Sequence, residues 1–398
     1  YNTNDNKFRL SEKLNYKRWY GSVVITGDQK MVMMGGEDIV TEIPSIIPEI
    51  IDLEKIEEGW SVLKKAESYD LFGGLNFEWH YPRAFLASDG NIIGISYNKL
   101  WVMNKEDEYR VSITGEIPLV EGGISKIFNN KNPNYSGKAN SELQLLTISS
   151  AVGHKNSVIM IDKDKLLVFG GKQREKGYSS SNHVYLINFE NSFKPKITKL
   201  KSMLYPRSDG NATILPDGNV FINGGTAFND LEFSNLIPEI YNPNTQITSP
   251  MEEAFFRRNY HATSLLLPDG RILVTGGDVW NAEIFYPPYL FEKDFNNNTV
   301  LAKKPKINNI NKTIKRGDEF KIDVTGDISR VTLISTGSTT HAQGSESKFR
   351  NLDFEKISDK KIKIDLSVNP NDLQNGTYLI FVLDSKNVPS NGKIIYLN

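Results

Sequence analysis

The chain is 398 residues long, balances 47 basic against 48 acidic side chains for a formal charge of −1, and contains no cysteine. A balance this even, without blocks of one sign, gives no footing for nucleic acid or an anionic membrane surface as partner, and the missing cysteine removes disulfides, thiolate ligands and cysteine nucleophiles together. No apolar run approaches the roughly 20 residues needed to cross a bilayer. The sequence opens at Tyr1 without an initiator Met or a signal-like segment, which reads as a processed or truncated start.

In chain order, one unit recurs. Residues 18–36 read RWYGSVVITGDQKMVMMGG, residues 82–94 read PRAFLASDGNIIG, and residues 154–171 read HKNSVIMIDKDKLLVFGG. Residues 209–225 read DGNATILPDGNVFINGG, and residues 258–278 close the series with RNYHATSLLLPDGRILVTGGD. In each, a β-rich run meets a turn centred on Asp-Gly or a substitute, then a hydrophobic strand that mostly ends in Gly-Gly. Asp-Gly supplies the positive φ of a hairpin turn, and Gly-Gly stops a strand where the backbone bends sharply. An outer strand recurs as PEIIDL at 48–53, PEIYNP at 238–243 and AEIFYP at 282–287. Spacings near the ~50 residues of a kelch repeat predict an all-β, kelch-type β-propeller over residues 1–300, whose small four-stranded sheets bury their faces only against neighbouring blades. Helix signals are thin. Residues 49–68 admit a short helix, but Ile50, Ile51 and Trp60 fit outer strands equally well.

At about residue 301 the pattern stops. Residues 302–315 are rich in Lys, Pro and Asn, and shorter strands without Gly-Gly are expected at 319–324, 330–334, 361–366 and 377–383. Their alternating polarity predicts a small immunoglobulin-like β-sandwich over residues 301–398. One loop within it, residues 335–343 (STGSTTHAQ), is built of small residues and carries His341 at its tip.

Five histidines are few enough to weigh singly. His80, His154 and His183 have no second ligand-type residue near them in sequence and read as structural. His261 directly follows Tyr260. A phenol and an imidazole can both ligate a metal, but on a regular strand neighbours face opposite ways. A shared site therefore requires an irregular backbone at that pair. Taken alone, His261 and His341 also fit ordinary hydrogen-bonded histidines.

Four segments together resemble the copper radical oxidases, the galactose oxidase and glyoxal oxidase family, and within it the glyoxal oxidase branch. They are RWYGS at 18–22, RNYHATSLLLPDGRILVTGGD at 258–278, STGSTTHAQGSESKFRNLDF at 335–354 and NGTYLIFVLDSKNVPS at 375–390. The resemblance implies a seven-bladed kelch propeller followed by an immunoglobulin-like domain, one loop of which delivers a histidine to the propeller channel. It implies Cu(2+) held by Tyr20, Tyr260, His261 and His341, with water or substrate at the open position. Tyr20 would be the tyrosinate that becomes the radical, and Tyr260 the axial tyrosinate that takes the substrate's hydroxyl proton. Mixed imidazole and oxygen ligands suit Cu(II), and a phenol of pKa near ~10 needs a metal to ionise at neutral pH. Tyr205 competes with Tyr20 for the radical role. Tyr20 stands eight residues before Asp28, as Asp209 stands eight before Asp217, whereas Tyr205 stands four too early. The plain alternative for Tyr20 is a core aromatic beside Trp19.

The implied activity is oxidation of a small aldehyde or primary alcohol with O2, giving H2O2, in a secreted or cell-surface protein. Five N-x-S/T sequons, at Asn134, Asn211, Asn297, Asn311 and Asn375, are compatible with that origin. Two departures count against full equivalence. The family joins its radical tyrosine to a cysteine on an earlier strand, and here that crosslink has no cysteine. Either it is lost or the chain starts downstream of it. Seven blades of ~40–50 residues need roughly 280–350 residues, and about 300 are present with insertions included. One to two front blades, with the cysteine, are accordingly expected to come from an unassigned N-terminal segment or another chain, which would cover the open edges. The second departure is Glu37 and Asp38, where galactose-type members place a stacking tryptophan, which points toward smaller substrates than galactose. The competing function is a catalytically inactive, cysteine-less propeller acting as a structural or glycan-binding surface protein. A generic kelch interaction module leaves the four-segment match unexplained.

Overall fold

The structure, a computed structural model, describes residues 6–8, 12–74, 77–118, 123–126, 145–148, 153, 155–172, 180–227, 233–277, 279–341, 343–366 and 369–398. His154 and Asn134 lie outside them. The chain divides into two compact units, Tyr1–Gly115 with Asn369–Asn375, and Glu116–Val368 with Gly376–Asn398.

All five expected hairpins form, and each opens a small antiparallel sheet whose strands lie in chain order. In the first unit, blade 1 runs Trp19–Ile25, Lys30–Asp38, Glu49–Asp52 and Ser61–Val62, with Ile43–Pro44 paired to its second strand. Blade 2 runs Arg83–Leu86, Ile92–Ser96, Lys99–Asn104 and Arg110–Glu116. In the second unit, blade 3 runs Ser157–Asp162, Lys165–Phe169, Val184–Asn188 and Lys196–Lys199, and blade 4 runs Ser208–Ile214, Val220–Thr226, Glu239–Asn242 and Ile247–Pro250. Blade 5 has three strands among the described residues, Ala262–Leu266, Ile272–Gly276 and Ala282–Phe285. A two-stranded sheet, Gly123–Lys126 with Leu145–Ile148, lies between blades 2 and 3 in sequence. This four-stranded meander is the blade of a propeller. The recurring outer strand of the sequence is the third strand of blades 1, 4 and 5. Residues 49–68 hold strands and two 3-10 turns, Ile56–Glu58 and Lys64–Ala66, and an α-helical turn comes just after, at Tyr69–Phe72.

The blades bury their apolar faces against one another. Val24, Val32, Met34, Leu86, Ile92 and Trp101 share one cluster between blades 1 and 2, while Leu215, Phe221, Ile272 and Val274 join blades 4 and 5. Each such side chain contributes roughly 1.5–3 kcal/mol by leaving water.

Polar clamps fix where each inner strand begins. In blade 1 the Arg18 guanidinium pairs with Glu49 at 2.9 Å and donates to the Gly35 carbonyl at 2.9 Å. In blade 4 Arg207 repeats both contacts, with Glu239 at 2.8 Å and the Gly224 carbonyl at 2.7 Å. In blade 5 Arg258 meets Glu283 at 3.2 Å and the Gly276 carbonyl at 3.0 Å. The Gly-Gly turns then lock one blade to the next. Gly225 N–H donates to the Arg258 carbonyl at 2.6 Å, and a Cβ on Gly224 would run into that same oxygen. Both glycines are left-handed, at φ +65° and +76°, so they allow a turn and a close approach that another residue would block.

The C-terminal strands fall where the alternation placed them, at Glu319–Thr325, Arg330–Ser335, Lys361–Asp365 and Gly376–Leu383. They belong to a four-stranded and a five-stranded sheet. Phe320, Ile322 and Val324 turn inward from the first of these strands while Glu319 and Lys321 face water. Ile334, Phe349, Leu379 and Phe381 also join one core with Ile159, Leu167, Ile214 and Ile222 of blades 3 and 4. Residues 335–343, expected as a flexible loop, are instead partly a ribbon in which Ser338–Thr340 pairs with Gln343–Ser345 and His341 sits in the connecting turn.

Candidate metal centre

The irregular backbone that Tyr260 and His261 require is present. In blades 1 and 4 the residue three places after the clamp arginine, Gly21 or Gly210, pairs with the first glycine of the Gly-Gly turn. In blade 5 the residue paired with Gly276 is Ala262, four places after Arg258. Blade 5 thus carries one extra residue between the clamp and the register, so Tyr260 and His261 occupy the room that Tyr20 or Asp209 fills alone. His261 takes a left-handed φ of +66°, which reverses the alternation of a strand. The two rings consequently lie on the same side, with centroids 3.9 Å apart.

His341 comes to the same place from the C-terminal ribbon. Its ring centroid lies 4.8 Å from Tyr260 and 4.5 Å from His261. It is 7% exposed, whereas His261 is open to solvent. The Thr340 hydroxyl sits 2.6 Å from His341 Nδ1, which holds the ring and directs any metal-ligand role to Nε2. His341 is itself left-handed, at φ +50°. Three of the four expected ligands therefore meet in the second unit.

Tyr20 belongs to the first unit. It has φ +65°, is half-buried, and its ring is 4.7 Å from His80, 5.3 Å from Tyr81 and 5.4 Å from Trp19. Trp19 is 50% exposed, so this pair is no ordinary core aromatic. Tyr205 does not share the left-handed backbone of Tyr20, and burial pushes its phenol above the ordinary value, with the charge of Glu239 adding to the rise and Arg207 opposing it. His183 lies 3.2 Å from Lys199 Nζ.

The left-handed position recurs in every blade. Tyr20, Tyr81, Lys155, Asp209 and His261 have φ of +65°, +48°, +63°, +58° and +66°, and each stands eight residues before the second turn residue. The count that selected Tyr20 therefore also selects Lys155 and Asp209, which sequence reasoning passed over. Lys155 Nζ lies 2.8 Å from Asp209 Oδ2 and 4.7 Å from the centroid of the Tyr260 ring. Lys172 is buried close by. Burial, joined by the charge of Lys155, holds its pKa down to about 8, against the pull of Asp209.

The donor set suits copper. Two imidazoles and a phenol are ligands for a tetragonal Cu(II) ion, and among the described residues no group of three or more His, Cys, Asp or Glu offers a rival metal site. An apolar cavity of about 480 Å³ beside blade 5, lined by Phe221, Phe255, Phe256, Ile284 and Phe291, includes none of the expected ligands. Of the sequons, Asn211 is only 2% exposed and closed to glycan attachment in the folded chain. No helix among the described residues is long and apolar enough to cross a membrane.

A family model described as Glyoxal oxidase N-terminus matches residues 2–298, and one described as Galactose oxidase-like, Early set domain matches residues 304–397. Galactose oxidase of Gibberella zeae is 28% identical over 254 residues, 59% of this chain and 36% of that protein. Aldehyde oxidase GLOX1 of Arabidopsis thaliana is 24% identical over 366 residues, 82% of this chain and 54% of that protein. The chain thus spans from about a third to about half the length of these relatives. A fungal alcohol oxidase solved in complex with copper shares the fold at a TM-score of 0.61 and 19% identity, covering 96% of this chain and 86% of that one.

Proposed function

The chain belongs to the glyoxal oxidase family of copper radical oxidases, and from that premise we propose that it oxidises a small aldehyde or primary alcohol with O2, releasing H2O2 outside the cell or at its surface. The observation that carries this reading is the convergence of Tyr260, His261 and His341, drawn from two distant parts of the chain by two separate left-handed turns. A structural role needs neither the extra residue in blade 5 nor the ribbon that presents His341.

Tyr20, Tyr260, His261 and His341 would hold the copper ion. When bound, copper supplies a one-electron acceptor and the positive charge that ionises a coordinated phenol. Tyr260 would take the proton of the substrate hydroxyl, and Tyr20, as a radical, would take a hydrogen atom from the carbon that bears it. A primary alcohol RCH2OH with O2 then yields RCHO and H2O2. An aldehyde hydrate RCH(OH)2 with O2 yields RCOOH and H2O2. Solvent exposure of His261 provides an approach for either substrate.

The test is to load the protein with copper, oxidise it, and look for tyrosyl radical absorption and for peroxide from methylglyoxal or simple alcohols. Failure to bind copper near one equivalent would refute the proposal. A protein without cysteine over its whole length would favour one other reading, an inactive relative that presents its surface to glycans or structural partners. Stoichiometric copper binding without peroxide, even after strong oxidation, supports that reading.

A further inference from the structure

The ring expected to carry the radical is partly shielded, and the ring beside it is open to solvent. Tyr20, His80 and Tyr81 are half-buried, whereas Trp19 is 50% exposed. Trp19 and Tyr20 are consecutive residues of the first strand of blade 1, and a regular strand would aim them at opposite faces. The left-handed φ of +65° at Tyr20 cancels that alternation, and the two ring centroids lie 5.4 Å apart at 60°, inside the contact range of an aromatic pair. Indole is the side chain whose one-electron oxidation is nearest in difficulty to that of a phenol, so an electron lost from one ring is readily supplied by the other. Glu37 stands directly across the ladder from Trp19, where a carboxylate favours the cation that an oxidised indole becomes.

We propose that Trp19 is an electron relay, through which a one-electron outer-sphere oxidant in solution generates the radical on Tyr20. The use of that radical rests on the oxidase reading. In the first step the Trp19 indole gives one electron to the oxidant and becomes a radical cation. In the second, Tyr20 gives one electron to Trp19, which restores the indole and leaves a phenoxyl radical. A Tyr20 already ionised on a metal passes the electron alone, and an un-ionised Tyr20 also releases its phenol proton to water. One molecule of oxidant is reduced for each radical formed.

The experiment uses metal-free protein and tris(bipyridine)ruthenium(III), generated by a laser flash, as the oxidant. Trp280, the other exposed indole, is replaced by Phe in every sample, while Trp60 is half-buried and Trp79 and Trp101 are buried. The expected result is an indolyl radical absorption that decays as phenoxyl absorption rises, in a phase whose rate changes with neither oxidant nor protein concentration. Direct oxidation of exposed phenols depends on oxidant concentration and is separated by it. Trp19→Phe should lose the concentration-independent phase. Tyr20→Phe should lengthen the life of the indolyl radical at least about tenfold. Survival of the phase in Trp19→Phe, or an unchanged indolyl decay in Tyr20→Phe, overturns the proposal. A role for Trp19 in packing alone predicts both of those results. Copper-loaded wild type that gives no peroxide refutes the oxidase reading alone, since the relay is measured without metal.

Discussion

Replacing Arg258 with Met separates positioning of the site from stability of the fold. The Arg258 side chain is 2% exposed, and its guanidinium donates to the Gly276 carbonyl at 3.0 Å, to Asn281 Oδ1 at 2.7 Å and to Glu283 Oε2 at 3.2 Å. Methionine keeps the buried stem and loses all three donors. Hydrogen bonds to charged groups are worth ~1.5–3 kcal/mol each. Glu283, at 18% exposed, recovers part of its hydration, so the net loss is set at about 3 kcal/mol. The clamp also sets where the extra residue of blade 5 is accommodated, and with it the directions of Tyr260 and His261. Cu(II) affinity should therefore fall at least tenfold, which is about 1.4 kcal/mol. The matched control is Ile322→Ala, in a strand of the C-terminal sandwich where Ile322 is fully buried, with an expected cost of about 2–5 kcal/mol. Urea denaturation gives stability and calorimetric titration gives copper affinity. Native copper affinity in Arg258→Met, or an equal loss of affinity in Ile322→Ala, would refute the argument that the clamp aims the ligands.

Three further outcomes are expected. Tyr260→Phe removes the phenol while keeping the ring beside His261 and His341, and should slow peroxide formation by about 10²–10⁴-fold, the usual contribution of a positioned base; full activity would remove Tyr260 from that role. His341→Ala should take copper content, measured by mass spectrometry of the metal, well below one equivalent with the blade core intact. Lys172 gives a pH signature. Its folded pKa of about 8 lies below the ordinary 10.5, so between these values the unfolded chain binds more protons and stability rises with pH. The penalty on its charged form is fully present below pH 8, and Lys172→Met should relieve it, gaining on the order of 2 kcal/mol at pH 7 after solvent screening. Parallel stability curves for the two proteins between pH 8 and 10.5 would refute this account.

The blades and the sandwich were legible because their signals are local. Asp-Gly turns and Gly-Gly stops fall in short windows, and strand alternation puts Phe320, Ile322 and Val324 on one face without reference to the rest of the chain. The expected ligands were legible only through resemblance, since no local rule predicts φ +66° at a histidine. The residues that flank it are held by contacts distant in sequence, the Arg258 clamp to Glu283 and a glycine turn in the preceding blade. Lys155 and Asp209 were missed although the turn count that picked out Tyr20 includes them. They show nothing unusual as residue types, and their meaning comes from an ammonium placed between Asp209 and the Tyr260 ring, which sequence spacing does not show. The ribbon at 338–345 reads as a loop in the sequence because runs of Ser, Thr and Gly carry little strand signal, and pairing over three residues needs little.

The hardest demand on the proposed chemistry falls on Tyr20. His80, Tyr81 and Trp19 surround its ring at 4.7–5.4 Å, and contacts of this kind between aromatic rings are worth about 0.5–1.5 kcal/mol. They pack the ring without extending its conjugation, whereas a thioether sulfur bonded to the ring would share the unpaired electron. With no cysteine in these 398 residues, no such bond can form within them. The potential of an uncrosslinked phenol then governs radical formation, and mild oxidants should leave the copper-loaded chain inactive. Peroxide that appears only after a strong oxidant, and vanishes in Tyr20→Phe, would place the radical on an unmodified Tyr20. Peroxide formed under mild oxidation and untouched by Tyr20→Phe would move the radical elsewhere and refute the assignment.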